Sequence, residues 1–392
     1  MSAQSPSRPQ SWRIVEGSVL GETGCAIGEV AIADGRIVDA AGRAAMCLDA
    51  SGLLVLPGII DIHGDAFERQ IMPRPNVGFS LETALADTDR QLVSNGITTA
   101  YHGVTWSWEP GLRGAENARA LLDRLEEMGP RLAADTRYHL RHEIFNLAGE
   151  AEILEWIEAG RIGCLAFNDH MEGTFKARHR PEKVGKMIER SGLAREDFLS
   201  LVEAVYARRD EVAASVERLA RAGLRAGIPT LSHDDMTPEM RQWFRGIGVG
   251  IAEFPVTEAT AREAAAHGEA IVFGAPNVLR GGSHTGCPTA AEMVRLGLCS
   301  VLASDYYYPA LLGAPFRLVA DGVCSFETAW ALVSSGPAKA LGLTDRGQLT
   351  AGARADVLVV DPRGPGGLAR VVATFAHGRL VYLADGGRLI GG

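Results

Sequence analysis

The sequence predicts an α/β protein, a (β/α)₈ barrel with a small β-sandwich domain formed by the N- and C-terminal segments. Three observations predict it. Strand-like and helix-like segments alternate through the middle of the chain, eight strand candidates fit there, and glycine-punctuated β-type runs occupy both ends. With 392 residues, 46% of them hydrophobic, the chain can bury a core of barrel size.

The β-type runs of the N-terminal end lie at 12–15, 28–33 and 35–38, and the same texture returns after Arg346 at 355–361, 371–375 and 378–382. The two ends are expected to pair into one small domain, 1–56 with 346–392, around a barrel domain of 57–345. The first barrel strand is the apolar run that delivers His63 and Asp65. The first barrel helix follows, with Ser80 as N-cap, Leu81, Leu85, Thr88 and Leu92 as its apolar stripe, and Asn95-Gly96 as its stop. Further strands are expected at 96–104, 137–143, 162–168, 228–233, 249–254, 270–274 and 299–304. With the opening strand they make eight over about 290 residues, the usual size of such a barrel. Residues 171–227, between the fourth and fifth strands, exceed what one helix needs and predict an insertion or lid.

Thirty-nine Lys+Arg against 48 Asp+Glu give a net charge of -9, which argues against nonspecific nucleic-acid binding and against adhesion to an anionic membrane. The six cysteines form no Cys-x-x-Cys pair and read as reduced core residues, which fits a cytoplasmic protein. Residues 1–11 are polar and contain proline, unlike a secretory signal, and no run approaches the ~20 apolar residues of a membrane helix. A homo-oligomer stays open.

The chemistry sits at strand ends. Residues two apart on a strand share a face, so His63 and Asp65 converge where the first strand ends. The third strand ends on Glu143, the fourth on Asp169-His170, the fifth on His233-Asp234-Asp235 and the eighth on Asp305. In a barrel these ends meet at one mouth. His63, Asp65, Glu143, His170, His233 and Asp305 are ligand types for a divalent metal, one or two ions, with zinc favoured over manganese or iron. Glu143 is the expected bridging carboxylate of an ion pair. Asp305 is expected to take the proton of an activated water, with His233 sharing the catalytic site; its bland alternative is a helix cap. Asp234 is expected to support the metal from behind, with helix capping as the alternative. The period of two turns His142 away from Glu143, toward packing.

A second constellation suits an anion. Residues 274–286 combine glycines with Asn277, Arg280, Ser283, His284 and Thr285 ahead of a helix expected near Pro288, and loops after the seventh and eighth strands often bind phosphate. Two basic clusters, one around Arg74 and one containing Lys176 and Arg178, emerge on the same side. The expected substrate contacts are Arg74, Asn277, Arg280, Ser283, His284, Lys176 and Arg178, and the expected partner is a small phosphorylated molecule.

These phrases together resemble the amidohydrolase superfamily, and within it the alkylphosphonate-utilisation branch. The matching stretches are His63-Gly64-Asp65 with Met72-Pro73-Arg74-Pro75, Leu140-Arg141-His142-Glu143, Asp169-His170, 232–235, Glu253-Phe254-Pro255, 274–277, 280–284 and 304–307. The His-x-Asp of the first strand, in place of the commoner His-x-His, is a departure that this branch shares. The resemblance implies a diphosphatase that hydrolyses a ribose 5-triphosphate at its α-phosphorus, releasing pyrophosphate and leaving a 5-phosphate with a phosphonate at C1. The alternatives are cleavage of a carbon–nitrogen bond, as in cyclic amides or deaminated bases, a paralogue with a shifted phosphorylated substrate, and a non-catalytic scaffold.

Overall fold

The computed structural model of the protein describes residues 11–21, 23–40, 42, 45–74, 77–282 and 288–390. Eight parallel strands form the barrel: β1 Ile59–Gly64, β2 Ile97–Trp106, β3 Asp135–Glu143, β4 Cys164–Asn168, β5 Thr230–His233, β6 Ile251–Glu253, β7 Ala270–Gly274 and β8 Val301–Ala303. Each pairs with the next in chain order. The ring closes at the seam between β8 and β1, where Asp305 N–H donates to His63 O and Asp65 N–H donates to Asp305 O, both at 2.9 Å. Just below, the fully buried Asp61 carboxylate accepts the Ser304 backbone N–H at 3.0 Å and the Ser304 hydroxyl at 2.5 Å. The fold and site share this seam, because His63 and Asp305 are part of it.

β4, β5, β6 and β8 are shorter than the sequence suggests, while β2 and β3 run two residues further at one end and β7 is as expected. The shortening of β5, β6 and β8 has local reasons. Pro229 has no N–H to give a ladder, so β5 starts at Thr230. Ser304 N–H is spent on Asp61, so β8 stops at Ala303. Phe254 is left-handed (φ 54°), which ends β6 one residue early. The stretch after β7 is a short helix, Ala275–Arg280, rather than a glycine loop, and the helix expected near Pro288 runs Ala290–Arg295 on a Thr289 cap.

The first barrel helix, Leu81–Ser94, is as read. Ser80 Oγ accepts the Thr83 N–H at 3.3 Å, Leu85, Thr88 and Leu92 are buried, and Gly96 turns out at φ 80°. On β3 the period of two sorts the side chains: Tyr138, Leu140 and His142 pack into the helix layer, Tyr138 donating to Ala118 O and His142 lying 6.4 Å from Phe167. Arg137, His139, Arg141 and Glu143 take the other face, as a polar row inside the barrel. Burial holds the His102 and His142 imidazoles down to about 4, so both are neutral packing groups at pH 7.

Residues 171–227 form four helices, Met171–Ala177, Pro181–Ser191, Arg195–Tyr206 and Arg209–Ala226. The last packs on the barrel wall as the β4–β5 connection, with Val216 and Leu219 buried, while the first three are the insertion. The insertion is fastened to the loop after β2 by an ion pair between Arg190 and the buried Glu109 (2.5 Å). Gly111 is required there, since a Cβ would come within 2.2 Å of Arg190 O.

The chain ends pair into one mixed nine-stranded sheet around a core of Trp12, Ile14, Ile32, Leu48, Val55, Val357, Val359 and Phe375. Strand Trp12–Gly21 changes partner at a bulge: Trp12 to Val15 run parallel to Met46–Asp49, and Ser18 and Val19 to Leu54–Pro57. Glu16 turns left-handed there (φ 58°), and a Cβ on Gly17 would strike Val55 at 2.4 Å. Of the five described cysteines, all free, Cys164 and Cys299 are buried, but Cys25 is exposed and Cys47 and Cys324 half-buried, so the core reading holds for only two. No helix among the described residues is long and apolar enough to cross a membrane.

The small domain is anchored to the barrel floor by Asp135, which accepts from Arg346 at 2.6 Å, Arg354 at 3.0 Å and Arg137 at 3.1 Å. Burial alone would raise this carboxyl, but the guanidiniums of Arg137 and Arg346 outweigh it and hold it at about 2. Its folded value is below its unfolded one, so its contribution, about 2 kcal/mol, is complete above pH ~4 and drains as the pH falls towards 2. Asp135→Asn should cost roughly 3 kcal/mol or more at pH 7 and flatten the acid limb of stability between pH 4 and 2, read from urea midpoints. An unchanged acid limb would show that the anchor carries no such linkage.

Candidate active site

Glu253, at the end of β6, organises the mouth. It is fully buried, and its two oxygens accept from His63 Nδ1 and His233 Nδ1, each at 2.7 Å. An ionised carboxylate can only accept, so both Nδ1 atoms carry the proton and both Nε2 atoms offer lone pairs. Burial works against the charge on Glu253, yet the two imidazoles hold its carboxyl well below the usual range. The rings of His63 and His233 stack with centroids 5.7 Å apart, and Phe254 lies 5.3 Å from each. Support of a metal-binding histidine through its second nitrogen is the usual way such a ring is oriented.

Glu143 plays the same part for His170. One oxygen accepts from His170 Nδ1 at 2.5 Å and the other from His170 N–H at 3.2 Å, so both oxygens of the expected bridge are committed to this one residue. The remaining ligand atoms fall into two groups, His63, Asp65 and Asp305, and His170, His233 and Asp234, each within 4.8 Å of one another. Two donors of one ion are about 4.2 Å apart at most, so small side-chain adjustments bring each group into range. A third close group, His63, His233 and Glu253, is the support just described. Asp234 thus stands among the ligand atoms, 3.6 Å from His233 Nε2, and not behind them. Asp235 is the one behind: it accepts from Ser232 Oγ at 2.6 Å and from the buried Arg241 at 3.2 Å. Neither caps a helix, because Thr237 caps Pro238–Gly246.

Asp305 is not a helix cap either; Tyr308 precedes Pro309–Ala320, without a side-chain cap bond. Burial pushes the Asp305 carboxyl above its ordinary range against the pull of His63, and the like charge of Asp65 adds to the rise. Asp65 goes the other way. Burial opposes its charge, but Arg141, 3.1 Å away, and His63 hold it below the ordinary range. Two carboxyl groups of one site are thereby pushed apart, as distinct roles require.

Three functional strand ends share a backbone device. The residues that follow His233, Glu253 and Ser304 are all left-handed: Asp234 at φ 59°, Phe254 at 54° and Asp305 at 54°. Each donates its N–H to the adjoining strand, Asp234 to Glu253 O, Phe254 to Val272 O and Asp305 to His63 O, at 2.9 to 3.0 Å. Aspartate tolerates this conformation, but phenylalanine does not, and such strain persists only where the surroundings impose it.

A cavity of about 230 Å³ opens on these groups, lined among others by Arg141, His233, Asp234, Asn277, Arg280 and Asp305. Arg141 is buried, and its Nε finds no partner among the described residues. Arg280 Nη1 donates to Tyr306 OH at 3.3 Å, and Asn277 Oδ1 accepts the Ala290 N–H at 3.0 Å. Other expected contacts lie apart from this cavity. Arg74 lines a neighbouring one. Lys176 pairs with Glu172 at 3.1 Å, and Arg178 lies 3.8 Å over the Phe175 ring, both within the insertion. Ser283 and His284 lie outside the described residues.

Glu253 and Arg141 are the site residues that strand-end reading passes over. Placing the end of β6 at Phe254 hid Glu253. Arg141 had a usable signal, since it sits two residues before Glu143 and shares its face.

A barrel whose strand ends gather imidazoles, carboxylates and buried supporting carboxylates has the residues that could hold a divalent metal in a hydrolase. The description "Amidohydrolase family" matches residues 66–382, and the chain belongs to that family. The chain is 31% identical over 334 residues to an Escherichia coli (strain K12) alpha-D-ribose 1-methylphosphonate 5-triphosphate diphosphatase, covering 82% of this chain and 86% of that protein. Its fold is similar to that of a D-hydantoinase (TM-score 0.66, 13% identity, 95% of each chain). It is also similar to a dihydropyrimidinase from Brevibacillus agri (TM-score 0.59, 14% identity, 95% of each chain).

Replacing Glu253 with Gln should lower divalent-metal affinity 10- to 100-fold, because an amide nitrogen cannot accept and one imidazole loses its orientation. Competition with a chelator measures it; unaltered affinity would show that the carboxylate does not govern the ligands.

Proposed function

We propose that the protein is a metal-dependent diphosphatase that cleaves the α–β phosphoanhydride of a ribose 5-triphosphate bearing a phosphonate at C1, releasing pyrophosphate. The observation that carries this reading is the 31% identity, across 82% of the chain, to a protein named for that activity. The site supports it chemically, with arginines beside carboxylates in a chain of net charge -9.

His63, Asp65, Asp305, His170, His233 and Asp234 would hold one or two divalent ions, zinc first among the candidates. When bound, such an ion supplies Lewis acidity to phosphoryl oxygens and makes water acidic enough to react near neutral pH. Asp305 accepts the proton of the attacking water, its carboxyl standing with His63 and Asp65 among the ligand atoms. Arg141, paired with Asp65 beside these ligand atoms, neutralises charge on the equatorial oxygens. Glu253 and Glu143 keep the imidazole rings fixed, so little reorganisation accompanies the step.

The test is release of pyrophosphate from α-D-ribose 1-methylphosphonate 5-triphosphate, set beside ammonia release and ring opening of cyclic amides. Pyrophosphate should appear; a chain that opens cyclic amides and leaves every triphosphate intact would be a carbon–nitrogen hydrolase. Asp305→Asn should retain fold and most metal while kcat falls at least 100-fold, as expected for loss of a general base. Metal lost in step with activity would make Asp305 chiefly a ligand.

A further inference from the structure

A second cavity, of about 240 Å³, lies beside the first, lined by Arg69, Arg74, Lys186 and Arg190 with Glu68 and Glu189. Two of these charges are answered locally. Glu68 takes a bidentate pair from Arg113, at 2.9 and 3.1 Å, and Arg190 is paired with Glu109. Among the described residues, Arg69, Arg74 and Lys186 form no ion pair, which leaves three cations facing one carboxylate, Glu189. Most arginines of this acidic chain are paired, so unneutralised cations gathered in one concavity call for an anion.

Tyr306, which directly follows Asp305, stands between the two cavities. Its hydroxyl accepts from Arg280 on one side, and the Arg69 guanidinium lies over its ring on the other, 5.9 Å from the centroid. Through Tyr306, the residue after Asp305, both Arg280 and Arg69 are thus within one side chain of the catalytic carboxyl. In-line displacement at a phosphorus held there expels pyrophosphate on the side opposite the attacking water, while the ribose stays bonded to the phosphorus, so the diphosphate needs a seat of its own.

We propose that this second cavity seats the terminal diphosphate of the substrate, bound by Arg69, Arg74 and Lys186, while the C1 phosphonate lies on the Arg280 side. The inference rests on the triphosphate reading above. The more highly charged end of the molecule goes to the side with more unpaired cations. Lys186 comes from the insertion, so the insertion is a binding element, and Arg190 fixes its position through Glu109.

Calorimetric titration of the zinc-loaded protein with inorganic pyrophosphate, and separately with methylphosphonate, tests it. Arg69 and Lys186 are exposed, so the double variant Arg69→Gln/Lys186→Gln should keep its far-ultraviolet circular dichroism. It should bind pyrophosphate at least about tenfold more weakly and methylphosphonate as the parent does, with Arg280→Gln showing the reverse. Parent-like pyrophosphate binding by the double variant, or its loss in Arg280→Gln alone, overturns the placement and leaves the triphosphate reading standing if pyrophosphate release persists. A parent protein that binds no pyrophosphate also overturns the placement, and the turnover assay then decides the broader reading separately.

Discussion

The rest of the structure depends on one buried carboxylate accepting from two imidazoles. Removing Glu253 from water costs several kcal/mol, which only two well-placed Nδ1–H donors offset. Those donors come from β1 and β5, strands that are not neighbours, while the acceptor comes from β6. The trio therefore assembles only in a closed barrel. Closure in turn runs through the backbone of the same residues, since His63 O accepts the Asp305 N–H at the seam. The site therefore requires the closed barrel.

The left-handed residues at the mouth express the same constraint locally. Each turns the chain sharply after a functional strand end and spends its N–H on the adjoining strand, tying β5 to β6, β6 to β7 and β8 to β1. Strain on the order of 1–3 kcal/mol, expected for a bulky residue in this conformation, is sustained by those bonds. It is most telling at Phe254, whose side chain also walls the two histidines.

Much of this was legible in the sequence. The alternation of segments fixes the barrel class, and the β7 segment and the helix at Leu81–Ser94 were located to the residue, because glycine and capping signals bound them. The ligand types at strand ends were legible for His63, Asp65, His170, His233 and Asp305, which period and position alone bring to one mouth. Glu253 was not, since its recognition turns on a single-residue strand boundary set by a strained phenylalanine. The partnership of Glu143 with His170 was also hidden: a carboxylate at a strand end looks the same whether it meets a metal or a ring nitrogen. The basic cluster at Lys176 and Arg178 looked like a substrate contact because helix-internal pairing and stacking on Phe175 leave no mark in composition.

The most direct measurement is anomalous X-ray scattering from crystals of the zinc-loaded protein. Zinc should lie at the Nε2 atoms of His63 and His233, with Glu253 retained on both Nδ1 atoms. Zinc coordinated by Glu253 itself, or by an Nδ1 of either ring, would contradict it.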